Sequence, residues 1–194
     1  MYEIELKARV KNKEETTHII NSFATQKNHI TRHDVYWILN INSQPPVIVR
    51  IREEITENEN ITKQIFVTYK RKKLQFDTTN KAIEVNEEFE CIIHNRKSFE
   101  TILEDSGYSK YLSKNKTVDS WKYGKANIEL CTIDTLGDFL EIEILSKKND
   151  EKTVLMHRKE LLHILTKSGL HHNDIENRYY SEMLKNIKKE QKNV

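Results

Sequence analysis

The chain has 194 residues, 32% of them charged and 37% hydrophobic, with 32 Lys and Arg against 30 Asp and Glu for a formal net charge of +2. That length suits one compact domain, and the balanced charge speaks against a nucleic-acid-coating surface and for both signs segregated locally. Cys91 and Cys131 are too few for a disulfide scaffold or a zinc ribbon, no apolar run nears the roughly 20 residues of a membrane span, and no signal-peptide layout opens the chain; a cytoplasmic protein is expected.

The first predicted element is a strand. Side chains in a strand alternate faces, so Glu3, Glu5, Lys7 and Arg9 share one face while Ile4, Leu6, Ala8 and Val10 share the other. A half-buried strand with a solvated face has the same local pattern, but the alternation recurs. After Asn12, a good cap, Ile19, Ile20, Phe23 and Ala24 predict a helix to about residue 27. Val47 to Arg52 and Phe66 to Lys70 then put Arg50, Arg52 and Lys70 on single faces of strand-like runs. Glu84, Glu88 and Glu90 share one parity of Ile83 to Cys91. Phe99, Ile102 and Leu103 predict a second helix ending before Gly107. Lys114, Lys116 and Lys122 follow at even spacing, Glu129 lies in Asn127 to Cys131, and Glu141 and Glu143 share a face of Phe139 to Leu145. A longer helix is predicted from near Asp150 to Ser168 with Gly169 at its stop, and another from Tyr179. Residues 1–184 read as a single domain and residues 185–194 as a charged tail, a solvated helix end or disorder. The connections at residues 57–60 and 76–80 are surface loops, with a lid as the alternative.

If these charged faces converge, both signs line one cavity. Burying so many ions imperfectly would cost several kcal/mol each, so that cavity is wet or filled by ligand. A closed barrel of about eight strands supplies such a lumen, with the opposite strand faces packed against helices.

In order along the chain, Glu3-x-Glu5-x-Lys7, Asp34-x-Tyr36, Arg50-x-Arg52, Thr68-Tyr69-Lys70, Glu88-x-Glu90 and Leu136-Gly137-Asp138-Phe139-Leu140-Glu141-Ile142-Glu143 resemble the CYTH family, the triphosphate tunnel metalloenzymes. The resemblance runs from Met1 to Tyr180-Ser181-Glu182-Met183-Leu184, similar to the family's closing helix. It implies an α+β fold: a closed eight-stranded antiparallel β-barrel, the triphosphate tunnel, with flanking helices. It also implies a small-molecule triphosphate (ATP, thiamine triphosphate or tripolyphosphate) bound with Mg²⁺ or Mn²⁺. The closing motif and the length look most like bacterial class IV adenylate cyclase homologues, which convert ATP to cyclic AMP and pyrophosphate. The alternative is a triphosphatase acting on thiamine triphosphate, tripolyphosphate or RNA ends, and the third reading is a polyphosphate-binding module without catalysis. Neither nucleic acid nor a membrane is the expected partner, and the protein is a monomer or a homodimer.

Residue chemistry fits this. Guanidinium groups match phosphate oxygens in pairs, so Arg50 and Arg52 suit a triphosphate, with Arg9, Lys70, Lys114, Lys116 and Lys122 as further cations. Carboxylates are the hard donors Mg²⁺ and Mn²⁺ prefer, which nominates Glu3, Glu5, Glu141 and Glu143, then Glu88, Glu90 and Glu129. Resemblance to the thiamine triphosphatase branch carries a lysine and tyrosine base onto Lys7 and Tyr36; a lysine near its usual pKa of about 10.4 is a poor base, so cations such as Arg9 or Arg50 would have to depress it.

Three departures from the family pattern stand out. Cys131 occupies the place of a ligand aspartate, which puts a second ion in question and leaves that job to Glu129 or Asp134. Ile48 stands where vertebrate thiamine triphosphatases carry a stacking tryptophan, with Trp37 or Trp121 as possible substitutes. Asn86 replaces an arginine before Glu88-x-Glu90. His171-His172 lacks a third ligand at suitable spacing for a transition metal, His33-Asp34 lacks the partner histidines of a phosphohydrolase, and Cys91 reads as a small core residue.

Overall fold

In the computed structural model the described residues are 1–41, 46–57, 60–76 and 82–192, with side chains described for 1–41, 46–57, 60–71 and 85–187. The Glu84 side chain, the loop centres at 58–59 and 77–81 and the end of the tail lie outside the described residues. Strands β1 (Tyr2–Val10), β2 (Thr25–Leu39), β3 (Val47–Glu57), β4 (Ile61–Phe76), β5 (Ala82–Ile92), β6 (Ser109–Tyr123), β7 (Ala126–Ile133) and β8 (Gly137–Ser146) close in the order β1-β5-β4-β3-β2-β6-β7-β8, with every neighbouring pair antiparallel and β8 returning to β1. Closure removes both sheet edges and fixes an inside and an outside for each residue.

Helices α1 (Lys13–Asn21), α2 (Arg96–Asp105) and α3 (Glu151–Lys167) each start at a side-chain cap: Asn12 accepts from the Glu15 amide, Asn95 from the Ser98 amide and Asp150 from the Thr153 amide. α1 stops at Asn21, short of the expected residue 27. Ser22 caps it through the Ile19 carbonyl, and from Thr25 the backbone is claimed by pairing with Lys122 of β6. α3 ends as expected before Gly169, whose φ of +82° is reached without strain only by glycine, and an added Cβ there would meet Ile19 Cδ1 of α1 at 2.7 Å. α4 (Tyr180–Lys192) follows a short 3-10 turn at His172–Asp174. Among the described residues no helix is long and apolar enough to cross a membrane.

The main core lies outside the barrel wall. Ile4, Leu6 and Ala8 of β1, Ile128 and Leu130 of β7 and Leu140, Ile142 and Ile144 of β8 pack against Val154, Leu161, Ile164 and Leu165 of α3. Each of these Val, Leu and Ile side chains removed from water contributes about 1.5–3 kcal/mol. On the far side, Phe99 and Leu103 of α2 cover Val35, Trp37, Ile51 and Val67. A third cluster is inside the barrel. Ile30, Val118, Cys131, Ile133 and Phe139 share strand parity with the charged residues and pack on Met183 and Tyr180 of α4, which closes that end. The interior is therefore ionic over part of its length only.

Candidate functional site

The barrel encloses a cavity of about 420 Å³ lined, among the described residues, by seven basic and eight acidic side chains. With carboxylates already in slight excess, a bound polyanion would need extra cations to balance it. Of the residues nominated from sequence, Glu3, Glu5, Lys7, Tyr36, Arg50, Arg52, Lys70, Glu88, Glu90, Lys114, Lys116, Glu129, Glu141 and Glu143 all line this space.

Arg9 and Lys122 stand elsewhere. Arg9 shares the inward parity of β1 but lies at its plugged end, where Nε donates to Glu176 at 3.0 Å and the guanidinium lies 5.0 Å from the Phe139 ring. Lys122, near the β6–β7 turn, donates to Asn127 Oδ1 at 2.7 Å and to the Lys125 carbonyl at 3.1 Å.

Three ionic groups fill the cavity. In the first, Asp34 is wholly buried and accepts from Arg52 Nε at 2.7 Å, from Arg52 Nη2 at 3.0 Å and, across β6, pairs with Lys114 at 3.2 Å. Burial opposes its charge, yet Arg52 and Lys114 hold the carboxyl well below the usual range. The Tyr36 hydroxyl donates to the same carboxylate at 3.4 Å.

In the second, Lys116 donates to Glu129 at 3.0 Å and, at closer range, to Glu141, while Arg32 donates to Glu129 and to Glu54 at 2.7 Å each. Despite burial, Lys116 brings Glu141 down to about 2 and, with Arg32, holds Glu129 below the carboxylate range. The third group joins Lys70 to Glu3 at 2.9 Å and to Glu88, beside Arg50, whose Nη2 donates to Thr68 Oγ1 at 2.9 Å while Thr68 donates to Glu90 at 2.8 Å. Arg50 Nε is buried without a hydrogen-bond partner among the described residues, a donor open to an incoming oxygen.

Glu143 differs from the other carboxylates. Burial and the neighbouring Glu3 push its carboxyl up, against the Asn127 amide, donating at 2.8 Å, and the charge of Lys70. A carboxylate crowded in this way with hard oxygen neighbours suits a divalent cation. Among the described residues no three His, Cys, Asp or Glu side chains already form a ligand cage, because lysines and arginines occupy most of the carboxylates.

Sequence reasoning passed over Arg32, Glu54 and Tyr180. Arg32 and Glu54 were visible in principle, since they extend the Asp34-x-Tyr36 and Arg50-x-Arg52 alternations by one step. Tyr180 carries no such signal: it enters from α4, with its ring 4.4 Å from Lys7 Nζ and 4.9 Å from Lys114 Nζ. Burial and its hydrogen bond to Glu141 push its hydroxyl well above the ordinary tyrosine value. Neither tryptophan reaches the cavity. Trp37 is buried beneath α2, and Trp121 faces the outer core, where it donates to Asn21 at 2.8 Å. Cys131 faces inward but into the apolar plug, where its thiol donates to the Phe139 carbonyl at 3.4 Å. Cys91, expected in the core, is exposed on the outer face of β5.

Over residues 1–180 the chain matches the CYTH domain family. It belongs to that family. CYTH proteins act on triphosphates as cyclases or triphosphatases and depend on metal. Among solved structures, the CYTH chain is similar to the PH1819 protein of Pyrococcus horikoshii OT3, at 22% identity and a TM-score of 0.73 over 94% of this chain and 97% of that one. It is also similar to a candidate adenylate cyclase of Vibrio parahaemolyticus, at 21% identity and 0.70 over 95% and 98%. A third, HpAC1 of Hippeastrum, a candidate adenylyl cyclase described as having dominant triphosphatase activity, matches at 15% identity and 0.57 over 87% and 88%. At these identities the likenesses show the fold. No curated protein matches the sequence.

Proposed function

We propose that this CYTH protein is a metal-dependent enzyme acting on a triphosphate, with ATP converted to cyclic AMP and pyrophosphate as the first reading. The observation that carries it is the cavity itself, in which Arg50, Arg52, Lys70, Lys114 and Lys116 converge with Glu3, Glu5, Glu129, Glu141 and Glu143 inside one closed wall. Phosphoryl chemistry asks a protein mainly for positioning and electrostatic stabilisation, which fixed charges in a closed barrel supply.

Arg50 and Arg52 hold the triphosphate by paired donors, and Lys70, Lys114 and Lys116 neutralise its remaining oxygens. Arg50 offers its open Nε, whereas the others must first exchange a carboxylate for a phosphate, as when Lys116 releases Glu141 or Glu129. The carboxylates so freed, with Glu3, Glu5 and Glu143, are those that would hold Mg²⁺ or Mn²⁺. The ion supplies Lewis-acid polarisation of phosphoryl oxygens and charge balance. Lys7, whose Nζ donates to the Arg178 carbonyl at 2.7 Å, and Tyr36 face the cavity from β1 and β2, and one of the two, in its deprotonated form, takes the proton of the attacking hydroxyl. In cyclisation the ribose 3′-oxygen attacks the α-phosphorus and pyrophosphate leaves toward the arginines; in hydrolysis water attacks the terminal phosphorus.

Hydrolysis is the second reading, supported by the triphosphatase activity attached to the Hippeastrum protein. The test is to incubate the protein with Mg²⁺ or Mn²⁺ and ATP, thiamine triphosphate or tripolyphosphate, following cyclic AMP, pyrophosphate and orthophosphate, with Glu5→Gln as control. Cyclic AMP with pyrophosphate identifies the cyclase and orthophosphate alone the triphosphatase, whereas no turnover in any tube sinks the enzymatic reading.

A further inference from the structure

The ionic cavity accounts for a triphosphate but not for whatever the triphosphate is attached to. One irregularity in the barrel bears on that. On β2 and β6 the register runs evenly from Ile30 opposite Val118 to Tyr36 opposite Leu112, then jumps to Trp37 opposite Lys110. Tyr111 is the extra residue, a β-bulge of the kind that re-aims a side chain. Strict alternation from Lys114 would send Lys110 inward and Tyr111 outward. Instead Lys110 lies outside, 5.1 Å over the Trp37 ring, and Tyr111 lines the cavity.

The ring lines the same cavity as Arg50 and Arg52, two strands away across β2. Arg50 pairs with Tyr36, Tyr36 pairs with Leu112, and Tyr111 is the next residue along β6. One face of the ring already holds a cation. Lys185 Nζ, reaching over from α4, lies 4.4 Å from its centroid, and Lys185 is itself exposed, so this occupant can move into water. Of the other aromatic side chains lining the cavity, which include Phe66 and Tyr179, Tyr36 donates to Asp34 and Tyr180 is wedged between Lys7 and Lys114.

We propose that Tyr111 is the platform on which a flat aromatic group of the substrate, such as a nucleobase, stacks while its triphosphate lies among Arg50, Arg52 and the lysines. This rests on the triphosphate reading above and adds the residue that recognises the organic part, whose aromatic ring displaces Lys185 from the tyrosine face. Tyr111 then sets affinity for the organic part while the arginines and lysines hold the phosphates.

The test measures equilibrium binding and KM for ATP and for tripolyphosphate, each with Mg²⁺, on the wild-type protein, Tyr111→Ala and Tyr111→Phe, with circular dichroism as the check on folding. Loss of a stacking surface predicts about tenfold weaker ATP binding in Tyr111→Ala. Tripolyphosphate binding should be unchanged, and Tyr111→Phe should bind ATP like the wild type. Equal weakening of both ligands, or no change in either, overturns the proposal. Failure of the wild-type protein to bind tripolyphosphate overturns the triphosphate reading itself, and this proposal with it.

Discussion

Along β6, β7 and β8 the inward positions run Lys116 then Val118, Glu129 then Cys131 and Ile133, Glu141 then Phe139. The same strands, with the same alternation, carry ions over one stretch of the barrel and apolar groups over the next. The charged stretch is held by exchangeable pairs that a polyanion can replace. The apolar stretch, Val118, Cys131, Ile133 and Phe139 sealed by Met183 and Tyr180, carries no ion of its own and serves as a fixed floor. Alternation thus decides which side chains face inward, and residue type alone decides whether that space is a binding chamber or a plug.

The largest expected effect lies at the centre of the charged stretch. Lys116→Met leaves Glu129 and Glu141 facing each other and should cost about 3–5 kcal/mol at neutral pH by urea unfolding, with Glu141→Gln recovering part of it. In the plug, Phe139→Ala should cost about 3–4 kcal/mol from lost contacts and the cavity left behind. What separates the two is pH. Carboxyls held low in the folded protein, such as Asp34 and Glu141, add stability above their ordinary pKa and lose it as pH falls through the folded value, for Glu141 from 4.5 to about 2. Glu143, pushed up, acts oppositely: its share is present below its ordinary value and is lost as pH rises through the folded one. Wild-type protein and Phe139→Ala should therefore lose stability in parallel across that acid window, whereas Lys116→Met should show a flatter acid limb. A plug variant with that flattened limb would erase the distinction.

Arg50→Lys removes the paired donors and the open Nε but keeps the charge. Tripolyphosphate binding should weaken about tenfold, the scale of one charge-assisted hydrogen bond, with little change in melting temperature. The smallest effect belongs outside the barrel. Asp150→Ala removes the cap of α3 and should cost about 1 kcal/mol with triphosphate binding intact.

Much of this was legible in the chain because charge and apolarity alternate in the strands. Glu3-Ile4-Glu5-Leu6-Lys7 places the candidate ligands inside and the α3-facing core outside in one reading, and Asn12 and Gly169 mark helix boundaries by their own chemistry. What escaped depends on contacts distant in sequence. α1 stops early because β6 claims the backbone from Thr25, and Tyr180 joins the site only because the chain returns after α3, where the Glu176 amide donates to the Lys7 carbonyl at 2.9 Å. The Tyr111 bulge is a property of strand pairing that β6 alone does not disclose. The arginine and glutamate one step beyond the recognised pairs, Arg32 and Glu54, were within reach of the same parity rule.

The plug also sorts the two thiols. Burial pushes the Cys131 thiol up to about 12, so at neutral pH it is a protonated, enclosed group closed to alkylating reagents, whereas Cys91 is exposed on the outer face of β5. A thiol-reactive dye should thus attach at one defined position of the unmutated chain. Because Cys91 directly follows Glu90, a residue of the cavity wall, such a dye would sit just behind that wall and offer an optical readout of triphosphate binding without any engineered cysteine.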